Sequence, residues 1–240
     1  MLAWREQLSG GIRLAVTDRH GGSSTGPYAE LNLAAHVGDD PGSVADNRER
    51  LLAALDLPPG RLVVGDQVHG ADVAEVRAPW EGPAPGADAL VTADPDLVLA
   101  VLVADCVPVL LAAPGAGVVG VAHAGRRGTA AGVVGALVEA VRDLGGRDLV
   151  ARVGPSICGR CYEVPASMRD QVAGAWPVAR SVTRRGTPAL DIGAAVVDQL
   201  AESGVQVEWL DGCTAERQDL YSYRRDSTTG RFAGLAWRVG

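Results

Sequence analysis

Between Ala89 and Ala122 the chain consists almost wholly of short apolar, β-branched runs: Ala89–Thr92, Val98–Val103, Val107–Ala112 and Val118–Ala122. Strands with one wet face alternate apolar and polar residues, whereas strands covered on both faces read as unbroken apolar runs. These runs are therefore expected to be buried strands, and the rest of the chain must cover both sides of the sheet they form. Further strands are expected at Ile12–Val16, Leu62–Val64, Val73–Val76, Leu149–Val153, Val205–Trp209 and Phe232–Trp237. Pro41–Leu55 reads as a helix, with Ser43 as its cap and Val44, Leu51, Leu52 and Leu55 at helical spacing. A small-residue helix is expected after Thr129 as far as Val141, and another over Asp191–Glu202. Ala78–Gly86, rich in Pro and Gly, reads as a surface loop. The order lacks the strict βα alternation of a doubly wound fold, so mixed sheets covered by helices are the expected architecture. A length of 240 residues suits one domain.

Charge and composition exclude several classes of function. The net charge is −7 with no basic cluster, which argues against nucleic-acid binding, because a phosphate backbone demands a positive footprint. Lysine is absent altogether. That removes Schiff-base chemistry, pyridoxal phosphate attachment and a P-loop lysine. No apolar run is long enough to cross a membrane. Arg5, Glu6 and Gln7 stand where a signal peptide needs an apolar stretch, so a cytoplasmic protein is expected. The four cysteines show no spacing of a secreted disulfide framework and are expected to be reduced thiols.

Three segments carry chemistry: Asp66-Gln67-Val68-His69-Gly70, Ala104-Asp105-Cys106-Val107-Pro108 and Ala122-His123-Ala124-Gly125. Each follows or ends an apolar run, and strand ends are where a rigid scaffold presents side chains. Converging there, His69, Cys106 and His123 would make a His₂Cys zinc site with its fourth position open, the arrangement of catalytic zinc. The spacing alone leaves two other readings: a buried cysteine with two hydrogen-bonded histidines, or a metal-free nucleophilic dyad of Cys106 and His123. Asp66 and Asp105 neighbour these residues, and either could orient an imidazole. Cys158-Gly159-Arg160-Cys161 could be a redox pair or half a zinc site, with Cys213 as another spare thiol.

The ordered motifs extend over nearly the whole chain. They include Arg19-His20-Gly21-Gly22, His36-Val37-Gly38-Asp39, Asn47-Arg48, Gln67-Val68-His69-Gly70, Ala87-Asp88-Ala89, Ala104-Asp105-Cys106, His123-Ala124-Gly125, Gly154-Pro155-Ser156-Ile157, Cys161-Tyr162-Glu163-Val164 and Tyr221-Ser222-Tyr223-Arg224-Arg225-Asp226. In these the sequence closely resembles the YfiH-like family, long labelled multicopper polyphenol oxidase or laccase-domain proteins. The resemblance implies an α/β (α+β) sandwich: a single compact catalytic domain over residues 1–240, with mixed β-sheets flanked by helices, akin to the Cys–His deamidase toxins. It implies a metal site, usually zinc, at His69, Cys106 and His123, which would also be the catalytic residues. It implies a purine nucleoside enzyme that performs phosphorolysis of adenosine, inosine, guanosine or methylthioadenosine and deamination of adenosine.

The partners expected are a small-molecule nucleoside and phosphate, with no nucleic acid or membrane, and the protein is expected to be a monomer. Arg48, and Arg127 at the start of a helix, are the expected phosphate or substrate contacts. The family label leaves two alternatives: a copper-dependent polyphenol oxidase, and a factor that edits peptidoglycan precursors. A multicopper centre needs roughly ten histidines, and His20, His36, His69 and His123 are the whole supply. One departure stands out. The family usually has Trp after the His-Ala-Gly motif, where this chain has Arg126. A guanidinium stacks as an indole does but adds charge.

Overall fold

A computed structural model describes residues Met1–Gly240. Along the chain run β1 (Leu2–Gln7), β2 (Ile12–Thr17), α1 (Pro41–Ala54), β3 (Leu62–Val64), β4 (Val73–Glu75), β5 (Ala89–Thr92), β6 (Val98–Val103), β7 (Val107–Ala113) and β8 (Val118–Ala124). There follow α2 (Arg126–Ala131), α3 (Val133–Asp143), β9 (Val150–Val153), α4 (Ala166–Ala175), β10 (Arg180–Val182), β11 (Pro188–Leu190), α5 (Ile192–Glu202), β12 (Gln206–Trp209), α6 (Tyr223–Asp226) and β13 (Phe232–Arg238).

Two mixed sheets lie face to face. One has the order β1-β2-β13-β6-β3 and the other β12-β9-β7-β8-β5-β4, with β10 and β11 forming a separate hairpin. Parallel pairing is confined to β3 with β6, β4 with β5, and β12 with β9. The alternating sides of each strand explain the unbroken apolar runs. In β6, Leu99, Val101 and Val103 pack between the sheets with Leu90, Leu110 and Val121. Their neighbours Val98, Ala100 and Leu102 point the other way, onto Leu51 and Leu52 of α1. In β7, Val109 and Leu111 face the opposite outer layer, where they meet Leu137 and Val141 of α3 and Val196 of α5. The molecule is thus a four-layer α/β/β/α sandwich whose interior strands have no wet face.

Close approach of the two sheets is set by Gly234 in β13, where an added Cβ would lie 2.8 Å from Pro108 and 2.9 Å from Leu110. Arg152 of β9 reaches across to Glu6 of β1 as a bidentate pair at 2.7 and 2.9 Å.

The expected boundaries need three corrections. The cap of α1 is Asp40, whose carboxylate accepts from the Ser43 amide at 2.8 Å, rather than Ser43 itself. The helix expected up to Val141 is two helices, broken where Gly132 adopts a left-handed φ of 93°. Elements not anticipated are β1, the β10–β11 hairpin, α4 and the single turn α6.

Leu110 is fully buried between the sheets. Leu110→Ala is expected to destabilise the fold by about 2–5 kcal/mol through lost burial and the cavity left behind. Guanidinium denaturation would read this as a lower midpoint with an unchanged slope, and a loss under ~1 kcal/mol would show a loosely packed interface.

Candidate metal centre and cavity

The β5–β8–β7 part of the second sheet brings the chemistry together at one edge. Register pairs Ala89 with Ala122 and Pro108 with His123. That sets Asp88, just before β5, beside His123 in β8, and Cys106, just before β7, beside the His123-Ala124-Gly125 end of the same strand.

His69 arrives from the loop after β3, and two contacts fix that loop. The Gln67 amide donates to the Leu102 carbonyl at 2.9 Å and accepts from the Leu102 amide at 2.8 Å, so its side chain continues the sheet pairing of β6. The Asp88 carboxylate accepts from the backbone amides of Val68 (3.1 Å), His69 (3.0 Å) and Gly70 (2.6 Å). His69 itself sits at a left-handed φ of 62°.

The same Asp88 carboxylate accepts from His123 Nδ1 at 2.7 Å. This fixes the proton on Nδ1 and leaves Nε2 for the cavity, the usual carboxylate–histidine arrangement behind a metal. Asp88 therefore does the orienting that Asp66 and Asp105 were expected to do. Asp105 is committed elsewhere: its carboxylate accepts from Thr214 Oγ1 (2.6 Å), Ser222 Oγ (2.7 Å) and the Arg224 amide (2.6 Å). Asp66 joins only a backbone bridge to Gly86.

The donor atoms of His69, Cys106 and His123 lie within 4.8 Å of one another. Cys106 Sγ is 4.0 Å from His69 Nε2, and the two imidazoles stand edge to face with centroids 4.7 Å apart. An added Cβ at Gly125 would lie 3.0 Å from Cys106 Sγ and 3.0 Å from His69 Cδ2, so only glycine fits there without disturbing the group. Zinc holds nitrogen at about 2.0–2.1 Å and sulfur at about 2.3 Å, which spreads tetrahedral ligand atoms roughly 3.4–3.6 Å apart. Two imidazoles and a thiol spaced slightly wider than that fit such an ion after small side-chain rotations. Burial alone would push the Cys106 thiol up, but His123 and His69 outweigh it and bring the pKa down to about 6. Burial likewise pushes His123 down, yet Cys106 and Asp88 raise it to about 9. Between those values, without metal, the two form a thiolate–imidazolium pair.

The group opens into a cavity of about 420 Å³. Its wall is apolar at Leu102, Ile157 and Ile192, and it carries the guanidiniums of Arg126, Arg224 and Arg231.

The family model described as multi-copper polyphenol oxidoreductase laccase matches residues 13–239. The chain belongs to this laccase-domain family. It is 53% identical to a protein of Streptomyces coelicolor called purine nucleoside phosphorylase, over 99% of both chains. Its fold matches the crystal structure of YlmD from Geobacillus stearothermophilus with a TM-score of 0.87 and 37% identity, covering 96% of this chain and 93% of that one. A protein of Neisseria meningitidis matches with a TM-score of 0.88 and 33% identity, over 100% of this chain and 99% of that one. These neighbours bear out the single α+β unit with mixed sheets.

Within the laccase-domain scaffold the arginines are not arranged as expected. Arg48 lies off the cavity and donates Nε and Nη2 to the Leu33 carbonyl at 3.0 and 2.8 Å, which ties α1 to the preceding loop. Arg127 is exposed and does not line the cavity. Its neighbour Arg126, the residue after the His-Ala-Gly motif, does line it, and its side chain makes no hydrogen bond or ion pair within the protein. Arg224 donates to the Glu163 carbonyl and lies over the Tyr162 ring, while Arg231 donates to the Thr229 and Gly230 carbonyls. His36 faces the cavity without joining the His/Cys group, and His20 pairs with Glu30 at the surface. No helix is long and apolar enough to cross a membrane.

Two outcomes test this geometry. In metal-free protein, alkylation of Cys106 by iodoacetamide should titrate with a midpoint near 6, against the ordinary thiol value of 9.0, and added zinc should suppress it. Asp88→Asn keeps the shape but weakens the hold on both histidines, so zinc affinity measured by competition with a chelator should fall about 10–100-fold.

Proposed function

We propose that this protein is a zinc-dependent purine nucleoside phosphorylase, which transfers the ribosyl group of adenosine, inosine, guanosine or methylthioadenosine to inorganic phosphate. One observation carries the reading: a His₂Cys group, open on one side, shares its cavity with the unpaired guanidinium of Arg126. The chain's similarity over 99% of both chains to the Streptomyces coelicolor protein called purine nucleoside phosphorylase supports it.

His69, Cys106 and His123 would hold the zinc, which when bound supplies Lewis-acid polarisation of a substrate oxygen. Asp88 holds His123 in the tautomer that leaves Nε2 free. Arg126 pairs with the phosphate, and Arg224 and Arg231 add positive potential at the same mouth. Leu102, Ile157, Ile192 and the Tyr223 ring provide an apolar, stacking wall for the base. A phosphate oxygen bonds to C1′ of the ribose and the C1′–N9 bond breaks. Its electron pair leaves with the purine, which takes up a proton. Nucleoside and phosphate are thus the partners, the acting species is a monomer, and neither nucleic acid nor membrane takes part.

Adenosine deamination is the secondary activity of the same cavity, with water in place of phosphate. Zinc deaminases pass protons through a glutamate. No glutamate lines this cavity, and Asp105, the carboxylate on its wall, is occupied by Thr214, Ser222 and Arg224. That shortage ranks deamination below phosphorolysis. Copper-dependent phenol oxidation ranks lower still, because His20 and His36 stand outside the group and cannot complete a multicopper centre.

Zinc-loaded protein is expected to release adenine from adenosine only when phosphate is present, and traces of inosine without it. Cys106→Ala should abolish both. Arg126→Ala should raise the KM for phosphate about 10–100-fold, the worth of a charge-assisted hydrogen bond of about 1.5–3 kcal/mol, with little change in the KM for nucleoside. A folded, zinc-replete protein that turns over no nucleoside would overturn the proposal.

A further inference from the structure

Next to the segment that holds Asp105 lies a second cluster of metal-binding side chains. The ligand atoms of Cys158, Cys161, Cys213 and Glu216 all fall within 4.8 Å of one another. They come from two turns built alike. In Cys158-Gly159-Arg160-Cys161 the Cys161 amide donates to the Cys158 carbonyl at 2.9 Å, and the Tyr162 amide donates to the same oxygen at 3.0 Å. In Cys213-Thr214-Ala215-Glu216 the Glu216 and Arg217 amides donate to the Cys213 carbonyl, each at 3.0 Å. Each turn therefore presents its first and fourth residues to the same side. The two turns are clamped together by the bridge between Ser156 and Cys213 and by the Thr214 amide on the Ser156 carbonyl at 3.1 Å.

The backbone also solvates sulfur. The Cys158 amide donates to Cys213 Sγ at 3.4 Å, the kind of contact that stabilises a thiolate. Cys161 Sγ donates to Glu216 Oε1 at 3.3 Å. Arg184 lies 2.6 Å from the Glu216 carboxylate, Arg160 stands within the first turn and lines the same cleft, and Arg217, next in the chain to Glu216, is paired with Asp219. The cysteines are half-buried rather than sealed, so an ion can enter.

We propose that Cys158, Cys161, Cys213 and Glu216 form a second, closed zinc site that is structural. Three thiolates and a carboxylate make four protein ligands, the number that fills a tetrahedral structural zinc and leaves no open position. The group at His69, Cys106 and His123 has only three. The position of the second site gives it a purpose. Asp105 is held by the residue just before the first turn and by one within the second: the Ile157 amide donates to the Asp105 carbonyl at 3.0 Å and Thr214 Oγ1 to its carboxylate at 2.6 Å. Asp105 is at a left-handed φ of 91° and immediately precedes Cys106. An ion joining the two turns thereby braces the segment that presents Cys106. This site does not depend on which reaction the cavity performs.

The test uses the full chain purified anaerobically with reductant. Cobalt replaces zinc as the probe, because each thiolate ligand adds sulfur-to-metal charge-transfer absorption. The Cys106→Ala variant, which loses the thiolate of the first group and keeps the second group whole, should still bind cobalt tightly with the intense absorption of a multi-thiolate site. Wild-type protein should hold one more equivalent of zinc than Cys158→Ser/Cys161→Ser or Cys213→Ser. Chelation of that equivalent should lower the melting temperature. Absence of multi-thiolate absorption in cobalt-loaded Cys106→Ala overturns the proposal, and this arm holds even if the cluster variants do not fold. Zinc content unchanged by Cys213→Ser in folded protein also overturns it. So does recovery of Cys158 and Cys161 as a disulfide from the anaerobic preparation.

Discussion

The Asp88 carboxylate is the interaction on which the arrangement rests. Its side chain is fully buried, and its oxygens accept from His123 Nδ1 and from three consecutive amides, those of Val68, His69 and Gly70. A buried charge without partners is costly, and its removal here would leave three amides short of an acceptor at about 1–3 kcal/mol each. Those donors hold Asp88 below the ordinary carboxylate range although burial pushes the other way. One residue thus folds the His69 loop and sets the tautomer of His123. The loop and the strand come from separate parts of the chain; Gln67 ties the loop to β6, and Asp88 is the residue that touches both histidines.

Rigidity comes from the layers beneath. Because β7 and β8 are covered on both faces, the edge that carries Cys106 and His123 cannot shift without disturbing two cores at once. The local backbone is less relaxed. His69 and Asp105 are non-glycine residues at positive φ, a conformation that costs free energy and persists where surrounding contacts over-determine it. The contacts here are specific: Asp88 fixes the first turn, and Thr214, Ser222 and the Arg224 amide fix the second. Gly125 completes the geometry by having no Cβ, which would otherwise press on Cys106 and His69. The three donors are therefore held close to one another by the scaffold itself.

Much of the scaffold was legible because the interior strands are apolar on both faces; Ala89–Thr92 and Val98–Val103 match the expected limits residue for residue, as does the short edge strand Leu62–Val64. The strand β1 escaped notice because it is an edge strand, half exposed, and its Arg5, Glu6 and Gln7 look like a solvated terminus. The α4 helix carries Gly174 and a weak apolar stripe, and β10–β11 spans too few residues to leave a period. His69, Cys106 and His123 were found as residue types at strand ends, but their meeting point depends on register, which no local pattern carries. Asp88 was missed as the orienting carboxylate for the same reason. It is close to His123 only across the β5–β8 pair, whereas Asp66 and Asp105 are close in sequence to the proposed ligands. Arg126 and Arg127 are adjacent, and only the start of α2 decides which one faces the cavity.

Arg126 connects the family to the particular chemistry of this chain. The laccase-domain name suggests oxidation, yet an oxidising copper cluster would need imidazoles where this cavity has guanidiniums. Arg126, Arg224 and Arg231 give a positive mouth to a protein whose net charge is −7. Such a local reversal of sign favours an anion beside the His/Cys group, as the proposed phosphorolysis requires. Arg224 and Arg231 already donate to backbone carbonyls, so their geometry is fixed and part of their capacity is taken. Arg126 has no such commitment, and its five donors remain for a ligand. An indole offers one N–H donor and no charge. Under the proposed phosphorolysis, Arg126 is the group left free to meet a charged co-substrate, beside rather than within the His/Cys group.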